Sequence, residues 1–189
     1  VQTNVVLVIA IVAAVVLAIG IVLYLMGRAR ANRRTTALRD HFGGEYDRVV
    51  HAHGRHKGEA ELQARLQRRR ELSIHHLTPE QRERFGKSWE SAQAKFVDTP
   101  SAGLRDADLL VLQVMRDRGY PVEQFEDRAK LVSVDYPELV EHFRAAHSVA
   151  VDNEQDGAST ERLRQAMVDY RYLFDEMIEG GEPERTKDL

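Results

Sequence analysis

The chain has 189 residues, no cysteine and a formal net charge of −3. Apolar residues make up 43% and charged residues 30%, with 5 prolines and 12 glycines, which excludes a disordered, collagen-like or disulfide-stapled chain. Without cysteine these residues offer no thiol nucleophile, no disulfide and no Cys-ligated zinc or iron–sulfur site.

The first element in the chain is an apolar run, Val5 to Met26, 22 residues without a charge and with one polar group, the phenol of Tyr24. A helix of this length spans about 33 Å, enough for a hydrocarbon core of about 30 Å. The spacing therefore predicts a single transmembrane helix. A cleaved signal peptide fits less well. Residues 1 to 4 carry no side-chain charge, the run is long, and Gly27-Arg28-Ala29-Arg30 is a poor cleavage context. Arg28, Arg30, Arg33, Arg34 and Arg39 crowd the C-terminal flank, so the positive-inside rule places residues 28 to 189 in the cytoplasm. Arg28, Arg30, Arg33 and Arg34 are the expected membrane-surface residues, each attracted to an anionic leaflet by about 1 kcal/mol. Ala10, Ala14 and Ala18 fall four apart on one helix face, and they are the expected site of helix association, giving a homodimer within the bilayer.

Apolar spacings of three and four, with no period-two stretch, predict helices for the rest of the chain. Thr36 to His53 is one, interrupted at Gly43-Gly44, with Leu38, Phe42, Tyr46, Val49 and Val50 on a face. Glu59 to Leu72 follows, thin in apolar residues. Thr78-Pro79-Glu80-Gln81 marks a helix start, with Thr78 as cap, Pro79 in the first turn and Gln81 closing a capping box. Phe85, Trp89, Ala92 and Phe96 form the next stripe, which ends near Asp98. Ser101 to Arg118 contains the run Leu109 to Met115, apolar nearly all round, and this predicts the central, most buried helix. Gly119-Tyr120-Pro121 breaks it. Short helices are expected from about Val122 to Val132 and from Pro137 to Val151. Ser159 or Thr160 caps the last helix, whose seam is Leu163, Met167, Tyr170, Phe174 and Met177.

The expected fold is thus all-α, an N-terminal transmembrane helix followed by a soluble helical bundle. Its divisions are an anchor over 1–27, a basic membrane-proximal stalk over 28–77, an acidic bundle over 78–179 and a disordered tail over 180–189. Residues 28–87 carry a balance of +7 and residues 88–189 of −10. This asymmetry draws the proximal half toward an anionic leaflet and keeps the distal half off it.

Catalytic signatures are missing. The sequence has no phosphate-cradling glycine loop, no Gly-x-Ser-x-Gly and no His-Glu-x-x-His. Asp106 and Asp108 are two apart and read as solvated helix surface. Six of eight histidines, His41, His51, His53, His56, His75 and His76, lie in the proximal segment. His53 and His56 are three apart, but Gly54 and Gly58 weaken any shared helix face, so no metal site is expected. Arg65 with Arg68-Arg69-Arg70 offers phosphate a basic patch, or forms a solvated face offset by Glu59, Glu61 and Glu71. The turn from Met115 to Glu123 has the outline of a helix-turn-helix, but the helix after it is acidic, so nucleic acid is not an expected partner.

Phe96-Val97-Asp98, the segment Val114 to Val122 and the segment Arg164 to Phe174 resemble those of uncharacterised small membrane-anchored proteins of actinobacteria. The similarity covers most of residues 38–178. It implies a lineage and an all-helical cytoplasmic domain, with no activity or site residues to carry over. The expectation is a single-pass inner-membrane protein, not an enzyme and without a cofactor. Its bundle is a structural or protein-interaction module whose partners are the lipid bilayer and a further protein. The alternative is a pH- or ligand-sensing module built on the proximal histidines.

Overall fold

In the computed structural model the described residues run from Gln2 to Glu179, with side chains described from Leu17 onward. The side chains of Ala10 and Ala14 and the expected tail, residues 180–189, lie outside them. All regular structure among the described residues is helical, in eight helices: α1 (Gln2–Phe42), α2 (Gly44–His53), α3 (Arg55–Glu71), α4 (Pro79–Asp98), α5 (Pro100–Arg118), α6 (Phe125–Asp135), α7 (Val140–Gln155) and α8 (Thr160–Glu179).

Helix α1 runs without a break from the apolar segment into the basic one. Among the described residues no helix is long and apolar enough to cross a membrane. Residues 5–16, the first part of the apolar run, precede the described side chains.

The chain reverses at Gly43 and Gly54, whose φ of 51° and 76° suit glycine and few other residues. These reversals lay α2 and α3 beside the end of α1. Leu38, Phe42, Tyr46, Val49, Leu62 and Leu66 then close a small core, with Val50 packed at its edge. The expected Leu38 to Val50 face is therefore the one that is buried.

A larger core gathers α4 to α8. The capping box forms as expected: the Gln81 amide donates to Thr78 Oγ1 at 3.2 Å, and Gln81 Oε1 accepts from the Thr78 amide at 2.8 Å. The α4 stripe is buried at Phe85, Trp89 and Ala92, and Trp89 stacks on Phe174 of α8 with centroids 4.5 Å apart. The α8 seam is buried at all five expected positions. The Arg162 amide donates to Ser159 Oγ at 3.4 Å, so Ser159 is the cap.

Three expectations shift. Helix α5 is not buried all round: Leu110, Val111, Val114 and Met115 are in the core, whereas Leu109 is 47% exposed. Helices α4, α7 and α8 pack around the run but leave the side that carries Leu109 uncovered. Helix α6 starts at Phe125 rather than near Val122, because Arg128 reaches back to the Val122 carbonyl and holds that segment as a loop. Residues 137–139 form a turn, with the Leu139 amide donating to the Tyr136 carbonyl, so α7 begins at Val140.

Helix α6 joins the two cores. Ala129, Leu131 and Val132 face the larger one and Val134 the smaller. The end of α1 with α2 and α3 is consequently docked on the bundle of α4 to α8.

Candidate functional site

Two arrangements of charge stand out, one buried at the joint between the cores and one open to solvent beside α1.

The buried arrangement centres on Glu45, in the first turn of α2, whose side chain is fully covered. Arg65 of α3 donates to Glu45 Oε1 at 2.5 Å and to Ser133 Oγ of α6 at 3.1 Å, and it also pairs with Glu61. Arg48 forks onto the same carboxylate with both bonds at 2.7 Å, and Arg144 of α7 contacts it at 2.9 and 3.1 Å. Burial alone would raise the Glu45 pKa. Hydrogen bonds from Arg48, Arg144 and Arg65 outweigh it and hold the carboxyl at about 2. Next to this hub, Arg69 bonds both oxygens of Asp135 at 2.7 and 2.6 Å, and the Tyr120 hydroxyl donates to the same carboxylate. The reading of Arg65 and Arg69 as a solvated or phosphate-binding face is therefore corrected. Their guanidinium groups are spent on α2 and α6, where carboxylates meet them inside the protein. Arg68 stays on the surface, 3.7 Å from Glu71.

Asp108 is also not solvated surface. It accepts the Tyr170 hydroxyl, lies 3.8 Å from His147 and is partly buried, so burial raises its pKa while His147 and Tyr170 lower it further, for a net lowering. Asp106 does face solvent, where it meets Lys95 at 2.7 Å.

Among the described residues no group of three or more His, Asp or Glu is placed to hold a metal ion. His53 lies 3.4 Å from Glu61 and His75 faces the Ser73 carbonyl at 3.2 Å. The closest His–carboxylate contact lies elsewhere, between His142 and Asp169 at 2.7 Å. No spacing in the sequence points to it, because the two residues sit on different helices.

The open arrangement is a groove of about 710 Å³ between α1 and α3. Arg30, Arg33 and Arg34 line one side and Arg70 the other. Ala37, Leu38, Ala64 and Leu66 supply apolar lining, and two alanines leave the helices too little side chain to fill the gap. No carboxylate among the described residues pairs with Arg30, Arg33 or Arg34. Arg39, further along, pairs with Asp47 at 2.7 Å, and Arg28 contacts the Tyr24 hydroxyl at 3.4 Å. Of the four expected membrane-surface arginines, the structure brings three into one concavity and leaves Arg28 outside it. Of the expected association residues only Ala18 has a described side chain, and it is exposed.

Comparison with family models, with curated proteins and with solved structures finds no match to the chain.

Proposed function

We propose that the chain is a single-pass membrane-anchored helical module that holds a protein-interaction domain at the cytoplasmic face of the inner membrane. One observation carries the reading. From Leu17 to Met26 every large apolar side chain of α1 is at least half exposed, and none of residues 17–34 is buried by the rest of the protein. An apolar surface of this extent requires cover. The uncharged run Val5 to Met26 is long enough to find it in a bilayer, and Arg28 to Arg34 follow where the headgroups would lie. The lineage suggested by the actinobacterial resemblance agrees with this arrangement. In this reading the chain is not an enzyme, and the acidic distal bundle presents its surface to a partner protein.

Alkaline carbonate extraction of membranes tests the anchor, and protease treatment of intact cells and inverted vesicles tests its direction. The protein is expected to stay with the membrane and to be digested only in inverted vesicles. Release by carbonate would refute the span, and digestion in intact cells would refute the orientation.

A further inference from the structure

We infer that the groove between α1 and α3 binds the phosphate of an anionic phospholipid headgroup, an inference that gives the membrane-anchored reading a specific lipid contact. Three features support it. The first is charge: Arg30, Arg33 and Arg34 converge on one concavity with no carboxylate among the described residues to neutralise them. Guanidinium groups match phosphate oxygens with paired hydrogen bonds and hold their charge at any physiological pH.

The second feature is shape. A volume of about 710 Å³ lies within the ordinary range for small-molecule pockets, about 300–1,000 Å³. Basic side chains share the lining with the apolar Ala37, Leu38, Ala64 and Leu66, of which the two leucines also belong to the smaller core. A glycerophospholipid has the same division, a charged phosphate beside a glycerol and the first methylenes of its acyl chains. Free phosphate would leave the exposed Ala64 and the half-buried Ala37 uncovered.

The third feature is height. Along one unbroken helix Arg30 lies about 6 Å and Arg34 about 12 Å beyond Met26, at about 1.5 Å per residue. The headgroup layer on each side of a bilayer is about 5–8 Å deep. With the apolar run in the hydrocarbon core, Arg30 at the near end of the groove falls among the headgroups, Arg33 and Arg34 lie a few ångströms beyond them within side-chain reach, and the groove ends at Leu38, about 18 Å beyond Met26.

The experiment uses the full chain in mild detergent, with lipid retention read by native mass spectrometry. Phosphatidylglycerol and phosphatidylcholine are the probes, and soluble glycerol 3-phosphate is the competitor. Phosphatidylglycerol is expected to be retained at least tenfold over phosphatidylcholine. The double substitution Arg33→Gln, Arg34→Gln is expected to weaken it about 25-fold, at about fivefold per arginine. Ala64→Phe keeps every charge and fills the groove, and it is expected to weaken retention at least tenfold. Arg28→Gln, outside the groove, is expected to change it less than twofold. Equal retention of the two lipids would overturn the inference. So would full retention in Ala64→Phe, which would leave only diffuse charge attraction, or displacement by equimolar glycerol 3-phosphate, which would assign the site to a soluble anion. Carbonate extraction reads the anchor separately, so loss of the span and loss of the lipid site are distinguishable.

Discussion

Glu45→Gln severs the joint between the two cores at its centre. Glutamine keeps the size of the side chain but removes the charge that Arg65 and Arg144 face, and those two side chains are only 5% and 16% exposed. Removing one partner of a buried ion pair costs about 3–5 kcal/mol, and because Arg65 keeps Glu61 and Arg144 keeps Glu141 the loss here falls at the low end of that range. The carboxyl pKa gives a second route to the magnitude. Its fall from an ordinary 4.5 to about 2 corresponds to roughly 3 kcal/mol of stability at neutral pH. The two routes agree near 3 kcal/mol. The folded-state pKa is depressed, so this contribution is complete above about pH 4.5 and is lost as pH falls toward about 2. Urea unfolding of the full chain in mild detergent, followed by far-UV circular dichroism from pH 7 down to pH 3, reads both effects. The parent is expected to lose stability steeply below pH 4.5, and Glu45→Gln to start lower and fall less. Arg48→Gln provides the comparison, since that side chain is 43% exposed and its removal should cost about 1 kcal/mol or less. A loss below 1 kcal/mol in Glu45→Gln, or a pH profile parallel to the parent's, would refute the reasoning.

Leu110→Asp is expected to unfold the larger core, because the residue is 5% exposed and a carboxylate there has no partner, at a cost of several kcal/mol. Leu109→Asp, one position along and 47% exposed, is expected to cost about 0.5 kcal/mol or less, and matching losses in a urea titration would show that the buried face of α5 is wrongly assigned. Gly103→Ala is expected to lower the melting temperature, since its Cβ would sit 2.5 Å from Phe96 Cα and force α4 and α5 apart, costing about 1–3 kcal/mol. Gly86→Ala meets nothing within 4 Å in α4 and is expected to gain about 0.5–1 kcal/mol from helix propensity; a rise in melting temperature for both would remove the close approach at Gly103 as a constraint.

Local chemistry wrote much of this fold into the sequence. Thr78, Pro79 and Gln81 carry a helix start in four consecutive residues, since the capping bonds span only three positions. The α8 seam was legible because a helix with one buried face repeats its apolar residues at fixed spacing, and Leu163 to Met177 do so without interruption. The all-helical class and the breaks at Gly43 and Gly54 follow from the same short-range rules. So does the clustering of arginine after Met26, because four of those residues lie within seven positions.

What neighbouring elements decide was not legible. An apolar run such as Leu109 to Met115 looks the same whether one side or both are covered, and only the placement of α4, α7 and α8 leaves Leu109 in solvent. The roles of Arg65 and Arg69 depend on carboxylates 20 and 66 positions away. Charge in sequence carries no sign of which partners the fold will bring up, so a buried ionic joint reads as a solvated basic face. The groove has the same origin: Arg30 to Arg34 could be seen as basic, but the wall that makes them concave comes from Ala64 and Leu66 on α3, brought there by two chain reversals. Periodicity and capping act over a turn or two of helix and are readable in the chain itself, whereas burial, pairing and concavity are properties of surfaces that meet only once the helices have packed.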